Sequence, residues 1–234
     1  MKIDKNINAK NAAWTFNGIE EDFEKHIRKS IPFYDHGHDV ICSYSDFFLS
    51  KKNCLVYEIG CSSGTLTDKI LQWNKDKILR IVGLDNQKGM IKYCKKRFKD
   101  KRAEFIFDDA TSFNFEKSNF IVSYYTLQFI HTSKRQNVFN KIYDSLEWGG
   151  GFIFFEKTRA CDARFQDYQN QLYSDFKLKN GFKENEIVNK TRSLKGVLEP
   201  FSEKGNIGLL QRAGFVDFMT IFKSICFQGY LAIK

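Results

Sequence analysis

Gly60-Cys61-Ser62-Ser63-Gly64 lies between an apolar run, Leu55 to Ile59, and a stretch carrying apolar residues at Leu66, Ile70 and Leu71. The run is β-branched enough for a buried strand and the stretch has helical spacing, so the five residues read as a strand-to-helix turn. Glycine at position 60 lets the backbone turn sharply without a Cβ penalty. The first N–H groups of the following helix then face the loop with no intrahelical partner. A second strand-like run, Ile81 to Asp85, ends on an acid about 25 residues after Gly60, near the spacing at which a carboxylate accepts hydrogen bonds from ribose hydroxyls. An isolated Gly-x-x-x-Gly is more often only a tight turn. Asp85 at this distance tips the pair toward a nucleoside ligand.

The same spacing excludes two phosphate sites. A dinucleotide loop wants Gly-x-Gly-x-x-Gly, and a P-loop wants Gly-x-x-x-x-Gly-Lys-Ser/Thr. A ligand with an adenosine and a zwitterionic methionine tail but no phosphate, S-adenosylmethionine (SAM), suits the loop better. In an open α/β sheet, ligands sit beyond the carboxyl ends of the strands where the strand order switches. That rule nominates Gly60, Cys61 and Ser62 after the first strand, and Asp85 and Asn86 after the second. It adds Asp109 and Ala110 after the third and Ser123 to Gln128 after the fourth. Asp109 is expected to accept from an adenine amino group, although an Asp there also caps turns. The fourth-strand end reads SYYTLQFI, without the Asp/Asn-Pro-Pro-Tyr/Phe of enzymes that methylate nucleic-acid amino groups and without a Pro-Cys nucleophile. Both features weaken a DNA-base methyltransferase reading. Arg192 is a candidate carboxylate clamp, since a guanidinium fork matches a carboxylate bidentately; taken alone it is an ordinary surface arginine.

The elements that must position these residues alternate regularly. Strands are expected over Leu55–Ile59, Ile81–Asp85, Glu104–Asp108, Phe120–Tyr124 and Phe152–Glu156. Helices are expected from Thr65 to Trp73, Lys88 to Phe98 and Ser133 to Leu146, with a turn at Gly149-Gly150-Gly151. Such alternation implies a parallel sheet with helices on both faces. The end of the chain, FVDFMTIFKSICFQGYLAIK, holds two strand-like runs with little room for a helix, which suits an antiparallel hairpin on the sheet edge. Ahead of the sheet, Ile19, Phe23 and Ile27 recur at helical spacing until Pro32. A second helix is expected over Val40–Leu49, after a loop containing His36-Gly37-His38. The N-terminal dozen residues are polar and expected to fray. Ala160 to Ser202 breaks the alternation as a helical insertion with Phe165, Tyr168, Leu172, Phe176 and Leu178 on one stripe, which would roof the site or join two copies of the chain.

With 234 residues, 42% of them hydrophobic, the chain supports one α/β domain with a core rich in its 24 Phe. We divide it into N-terminal helices (1–50), a Rossmann-like core (51–159), a helical cap (160–205) and a C-terminal hairpin (206–234). No apolar run reaches the length of about 18 residues that spans a bilayer, and the charged start lacks a signal-peptide core, so a cytoplasmic protein without membrane association is expected. Six cysteines without Cys-x-x-Cys spacing argue against a zinc site or a disulfide framework. No metal is expected, since the four histidines show no ligand pattern. A net charge of +9 fits an acidic partner, but the clearest basic run, Lys92 to Arg102, reads as the wet side of a helix, and direct nucleic-acid binding is not expected from it.

Over nearly its whole length the sequence resembles the carboxy-S-adenosyl-L-methionine synthase family, within the class I SAM-dependent methyltransferase superfamily. The resemblance is carried by WTFNGIEEDFEKHIRKSIPFY, VYEIGCSSGTLT, IVGLDNQKGMIKYCKKR, TLQFIHTSKRQNVFNKIYDSLEWGGGFIFFEK, DFKLKNGFKENEI, TRSL and QRAGF. It includes the helical insertion, which ordinary SAM methyltransferases lack. It implies a Rossmann-like fold with a seven-stranded, mostly parallel sheet, a C-terminal antiparallel hairpin and a homodimer. It also implies SAM contacts at Tyr34, Gly60, Cys61, Ser62, Asp85, Asn86, Asp109 and Ala110, with Arg192 holding an added carboxylate and SAM, carboxy-SAM or S-adenosylhomocysteine as bound species. In the reaction it implies, prephenate loses carbon dioxide and hydroxide on the way to phenylpyruvate, the SAM methyl is deprotonated, and the resulting ylide captures the carbon dioxide. The product serves wobble-uridine modification in tRNA. Where the family has an asparagine just before the TLQF run, this chain has Tyr124, bulkier and with a hydroxyl in place of an amide. If Tyr124 lines the cofactor tail, the pocket is altered. The competing expectations are a SAM-dependent methyltransferase acting on a small acid or RNA, and a non-catalytic SAM-binding partner protein.

Overall fold

The computed structural model describes residues 10–16, 18–77 and 79–234. Strands β1 (Cys54–Ile59), β2 (Leu79–Asp85), β3 (Ala103–Phe107), β4 (Ser118–Tyr124), β5 (Leu146–Lys157), β6 (Asp217–Ser224) and β7 (Phe227–Ile233) form one sheet in the order β3-β2-β1-β4-β5-β7-β6. The first five run parallel, whereas β7 is antiparallel to β5 and to β6. Helices α1 (Phe23–Ser30) and α2 (Tyr34–Phe48) precede the sheet, and α3 (Thr65–Trp73), α4 (Lys88–Arg97) and α5 (Thr132–Ser145) connect its parallel strands. Helices α6 (Ala163–Lys179), α7 (Glu184–Ser193) and α8 (Glu203–Ala213) follow β5, and a short 3-10 turn, Leu127–Phe129, follows β4. The seven-stranded, mostly parallel sheet with its terminal hairpin is the fold class expected from the alternation, the two strand-like runs at the chain's end and the resemblance.

The period-2 alternation of β5 shows how the sheet acquires two apolar faces. Ile153 and Phe155 pack with Val56, Ile81 and Val122 toward α2 and α3, whereas Phe152 and Phe154 pack with Ile121, Val82 and Phe139 toward α5 and α8. All of these are fully buried, which is why the parallel strands read as nearly continuous apolar runs rather than alternating ones. The phenylalanines stack as well as fill: Phe152 on Phe154 at 5.1 Å between ring centroids, and Phe154 on Tyr230 at 4.8 Å.

Three local expectations change. His36-Gly37-His38 is helical, because Phe33 takes a left-handed φ of 55° and the chain re-enters a helix at once at Tyr34. The three glycines 149–151 do not end a connection but lie inside β5, which starts directly after α5; Leu146 pairs with Ser118 and Gly151 with Phe120, so a bulge absorbs the residues between. The aromatic stripe of α6 does not roof anything: Phe165, Tyr168, Leu172 and Leu178 are 47%, 58%, 55% and 40% exposed. The face that turns inward carries Tyr173 and Lys177 instead. The expected fraying of the N-terminal dozen residues lies largely outside the described residues; Ala12 N and Trp14 N donate to Lys195 O and Ser193 O at 3.0 and 3.2 Å.

Five cysteines are buried, Cys161 is exposed, and none is bonded to another. Among the described residues no helix is long and apolar enough to cross a membrane, and no cluster of His, Cys, Asp and Glu is arranged to hold a metal ion. The basic run on α4 is mostly solvated, except that Arg97 donates to Ser63 O at 3.1 Å and lies 3.6 Å from the Glu24 carboxylate.

Glu156, on β5, is 4% exposed, and burial pushes its carboxyl up to about 8, only partly opposed by Arg135. A carboxyl raised on folding contributes stability that is present below its unfolded value of about 4.5 and is lost as pH rises toward 8. His38 and Lys177 titrate in the opposite sense, so the check is a difference between proteins. In denaturant titrations at pH 5, 6.5 and 8, Glu156→Gln should gain stability relative to the parent at each step upward.

Candidate functional site

One large cavity opens over the carboxyl ends of the parallel strands, roofed by α1, α7 and the segment containing Trp14 and Phe16. Along the sheet edge, from β3 through β2 and β1 to β4 and β5, it meets in turn Asp109, Asp85, the Gly60 loop, Tyr124 and Lys157. The strand order reverses between β1 and β4, where each side of the sheet leaves a crevice.

The loop after β1 is held at both ends. Gly60 N and Cys61 N donate to Leu84 O at 2.7 and 3.0 Å, and Ser62 N donates to Asp85 Oδ2 at 2.9 Å. Gln87 N, at the start of α4, donates to Asp85 Oδ1 at 2.8 Å. Each Asp85 oxygen thus spends one lone pair on the backbone and keeps another for a ligand. Burial raises the Asp85 carboxyl and the two N–H bonds lower it, leaving it above the ordinary value. Gly60 has φ +76°, and the Thr126 side chain occupies the place where a Cβ would be. Gly64 has φ +77° with the Phe98 ring in the corresponding place, so neither position accepts a side chain.

Beyond β3, Asp109 Oδ1 accepts from Thr111 N at 2.8 Å, and Asp108 Oδ1 accepts from Asp109 N at 2.7 Å. The turn-capping role is therefore present, with Asp109 and the backbone of Ala110 still on the cavity wall. Tyr34, at the first turn of α2, lies on the wall as well, and burial pushes its hydroxyl up. Tyr124 donates to Tyr34 O at 2.6 Å, with their rings 5.0 Å apart. Its hydroxyl lies where a Cβ on residue 37 would have to sit, so Gly37 makes room for it. The bulky residue at the end of β4 is thus turned down against α2 as part of the wall.

The cavity brings together Tyr34, Gly60, Cys61, Ser62, Asp85, Asn86, Asp109, Ala110 and Tyr124. It does not include Arg192. At 3.6 residues per turn, α7 presents Lys190 and Thr191 to the cavity, with Leu194 beyond it, while Arg192 points outward and is exposed. The clamp expected of Arg192 is not formed on this chain's own cavity wall, whose lysines are Lys157, Lys177, Lys190 and Lys195. Sequence reasoning passed over these lysines because β5, α6 and α7 converge only in three dimensions. It also missed Glu58, although an acid inside VYEIG was a visible signal. Glu58 is 3% exposed, accepts from Thr67 Oγ1, and is pushed up to about 8 by burial, with Asp85 adding to the rise.

The residues fit SAM. A buried carboxylate with spare lone pairs stands at β2, glycine backbone that no Cβ obstructs at β1, and an exposed aspartate on the cavity rim at the β3 end. Sheet order, loop and cavity together define a protein of the SAM-dependent methyltransferase class. The methyltransferase domain family model matches residues 56–150. Among solved structures, the plantazolicin methyltransferase BpumL, determined with a triazolic desmethylPZN analog and SAH, superposes with a TM-score of 0.68 at 12% identity, covering 100% of this chain and 97% of that one. A putative O-methyltransferase from Nostoc punctiforme gives a TM-score of 0.67 at 14% identity over 97% of this chain and 65% of that one. Both show the fold.

Curated relatives narrow the class. The carboxy-S-adenosyl-L-methionine synthase of Staphylococcus epidermidis is 35% identical, covering 94% of this chain and 97% of that protein. Its namesake from Wolinella succinogenes is 33% identical over 91% and 89%. The chain belongs to the carboxy-S-adenosyl-L-methionine synthase family.

Replacing Asp85 by Asn keeps the shape but places an amide N–H₂ against a backbone N–H and removes the charge. Hydrogen bonds to charged groups contribute about 1.5–3 kcal/mol, so Asp85→Asn should weaken SAM binding by roughly 10- to 100-fold in calorimetric titration.

Proposed function

We propose that this enzyme converts SAM and prephenate to carboxy-SAM and phenylpyruvate, supplying a carboxymethyl donor for wobble-uridine modification in tRNA. The observation that carries the reading is the end-to-end match to carboxy-SAM synthases, 97% of the Staphylococcus epidermidis protein included, so that the helical insertion is shared as well as the SAM-handling core. The balance is closed. Prephenate gives phenylpyruvate, carbon dioxide and hydroxide; the hydroxide takes a methyl proton as water, and the carbon dioxide becomes the new carboxylate. SAM supplies a methyl carbon acidified by its sulfonium.

The chain's own residues then bind, orient and exclude water. Asp85 and Asn86 take the ribose, Asp109 with Ala110 the adenine, and the Gly60–Ser62 backbone with Tyr34 and Tyr124 the remainder. Trp14, Phe16 and Phe129 close the wall with apolar rings, and Phe16 packs on Phe129 at 5.1 Å. A dry, preorganised site of this kind keeps carbon dioxide from escaping and strengthens each polar contact. The protein is placed in the cytoplasm, acting on small molecules without itself gripping nucleic acid or membrane.

Incubated with SAM and prephenate, the pure protein should yield an adenosyl product heavier by one carboxyl group, together with phenylpyruvate. Methyl transfer to a small acid or RNA with release of S-adenosylhomocysteine, and no carboxy-SAM, would replace this reading.

We also propose that the exposed stripe on α6 joins two copies of the chain. Three large exposed apolar side chains on one helix face, Phe165, Tyr168 and Leu172, are costly to leave in water. Sedimentation should give a dimer for the parent and a monomer for Leu172→Asp.

A further inference from the structure

β5 ends at Lys157, two strands beyond β1. At about 4.8 Å per strand step, this puts Lys157 about 10 Å along the sheet edge from the Gly60 loop, on the side away from Asp85 and Asp109. Three further lysines reach the same wall, Lys177 from α6, Lys190 from α7 and Lys195 just beyond it. Lys157 and Lys177 gather around one tyrosine, whereas Lys190 lies over the Trp14 and Phe182 rings. Lys157 Nζ lies 4.5 Å and Lys177 Nζ 4.0 Å from the centroid of the Tyr173 ring, and the Tyr173 hydroxyl donates to Ser30 O at 2.9 Å. Lys190 Nζ donates to Ser30 Oγ at 3.1 Å. Lys177 and Lys190 are 6% and 8% exposed.

Buried charges are normally paired, because desolvation costs several kcal/mol per ion. Among the described residues no carboxylate forms an ion pair with Lys157 or Lys177; burial, with Lys190 and Lys157 nearby, pulls Lys177 down to about 7, and burial with Arg159 nearby pulls Lys157 down as well. Contact with the Tyr173 ring softens the cost without cancelling charge. On another part of the same wall, His38 is 1% exposed and neither ring nitrogen has a hydrogen-bond partner. The cavity beyond the SAM half thus carries amines without a carboxylate partner, while the idle His38 ring packs beside Tyr34 and Tyr124.

We propose that Lys157 and Lys177 form the receptor for the 2-oxo-carboxylate end of the second substrate. The inference rests on the reading above and adds an orientation to it. Prephenate has two carboxylates, and the one lost as carbon dioxide must give up its charge in doing so. Ammonium groups pressed against that carboxylate would stabilise the reactant and oppose the loss. The amines therefore hold the carboxylate that survives into phenylpyruvate, and the ring carboxylate faces the Gly60 loop, where carbon dioxide is released next to the carbon that receives it.

Because phenylpyruvate keeps the held end, it serves as a probe that needs no turnover. Protein loaded with S-adenosylhomocysteine is titrated with phenylpyruvate, and the KM for prephenate is measured alongside. Lys177→Met and Lys157→Met should each weaken phenylpyruvate and raise that KM by about 10- to 100-fold, with SAM affinity changed less than about two-fold. Methionine keeps the apolar stem, so removing the buried charge should not lower the melting temperature, as loss of a structural lysine would. If Lys177→Met does not fold, Lys157→Met carries the test, and Lys177→Arg, which keeps the charge, should bind within a few-fold of the parent. Unchanged phenylpyruvate affinity in the methionine variants, or no phenylpyruvate binding by the parent, overturns the receptor even if carboxy-SAM is made. Lysine-dependent phenylpyruvate binding without carboxy-SAM formation would sustain the receptor and remove the proposed reaction instead.

Discussion

Two backbone N–H groups, those of Ser62 and Gln87, converge on the Asp85 carboxylate, and the geometry of the cavity follows from that convergence. The bond from Ser62 pulls the loop after β1 against the end of β2. The bond from Gln87 fixes where α4 begins. Together with the donation of Gly60 N and Cys61 N to Leu84 O, they convert a glycine-rich connection into a rigid edge. The carboxylate is kept partly desolvated, which makes its remaining lone pairs strong acceptors.

The rigidity propagates through contacts that exclude alternatives. Thr126 fills the space beside Gly60 and thereby couples the end of β4 to the loop after β1. Gln128 ties the same turn to β5, accepting from Lys157 N at 2.9 Å and donating to Tyr125 O at 3.0 Å. Tyr124 then reaches back to α2, where Gly37 yields the room. A tyrosine at this position is thus matched by a glycine on another element, and the wall is continuous where a smaller residue would leave a gap.

What could be read in the sequence follows from how local each signal is. The turn at Gly60, the helix Thr65–Trp73 and the acid at position 85 are set by residues within about two turns or one strand, and periodicity exposes them. Asp109 and Tyr34 needed the strand-end rule or the resemblance. The helical start at Tyr34 was hidden because Gly37 between two histidines looks like a loop until the Tyr124 hydroxyl is seen to require it. The glycines 149–151 signalled a turn because a bulge has the same composition as a connection. Arg192 drew its role from residue type and the resemblance; the rotation of α7 turns it away from this chain's own cavity, where Lys190 and Thr191 face inward. The lysine cluster had no local signature, since its members are 20 and 13 residues apart along the chain.

The acids and the lysines of the cavity do not neutralise each other, and the sheet explains why. Asp109 and Lys157 stand at the ends of β3 and β5, four strand steps apart, or about 19 Å at the usual spacing. That is about twice the Debye length at physiological ionic strength, and the rigid strands between forbid closure. Opposite charge thus lines the two ends of one cavity, acidic at Asp85, Asp108 and Asp109 and basic at Lys157 and Lys177. A ligand pair compensates it better than water does: a cationic sulfonium nucleoside toward the acids and a small organic anion toward the amines. In the reaction proposed above, that field would order the two ligands relative to each other, with the reacting carbon of one facing the departing carboxylate of the other between β1 and β4, at the switch in strand order.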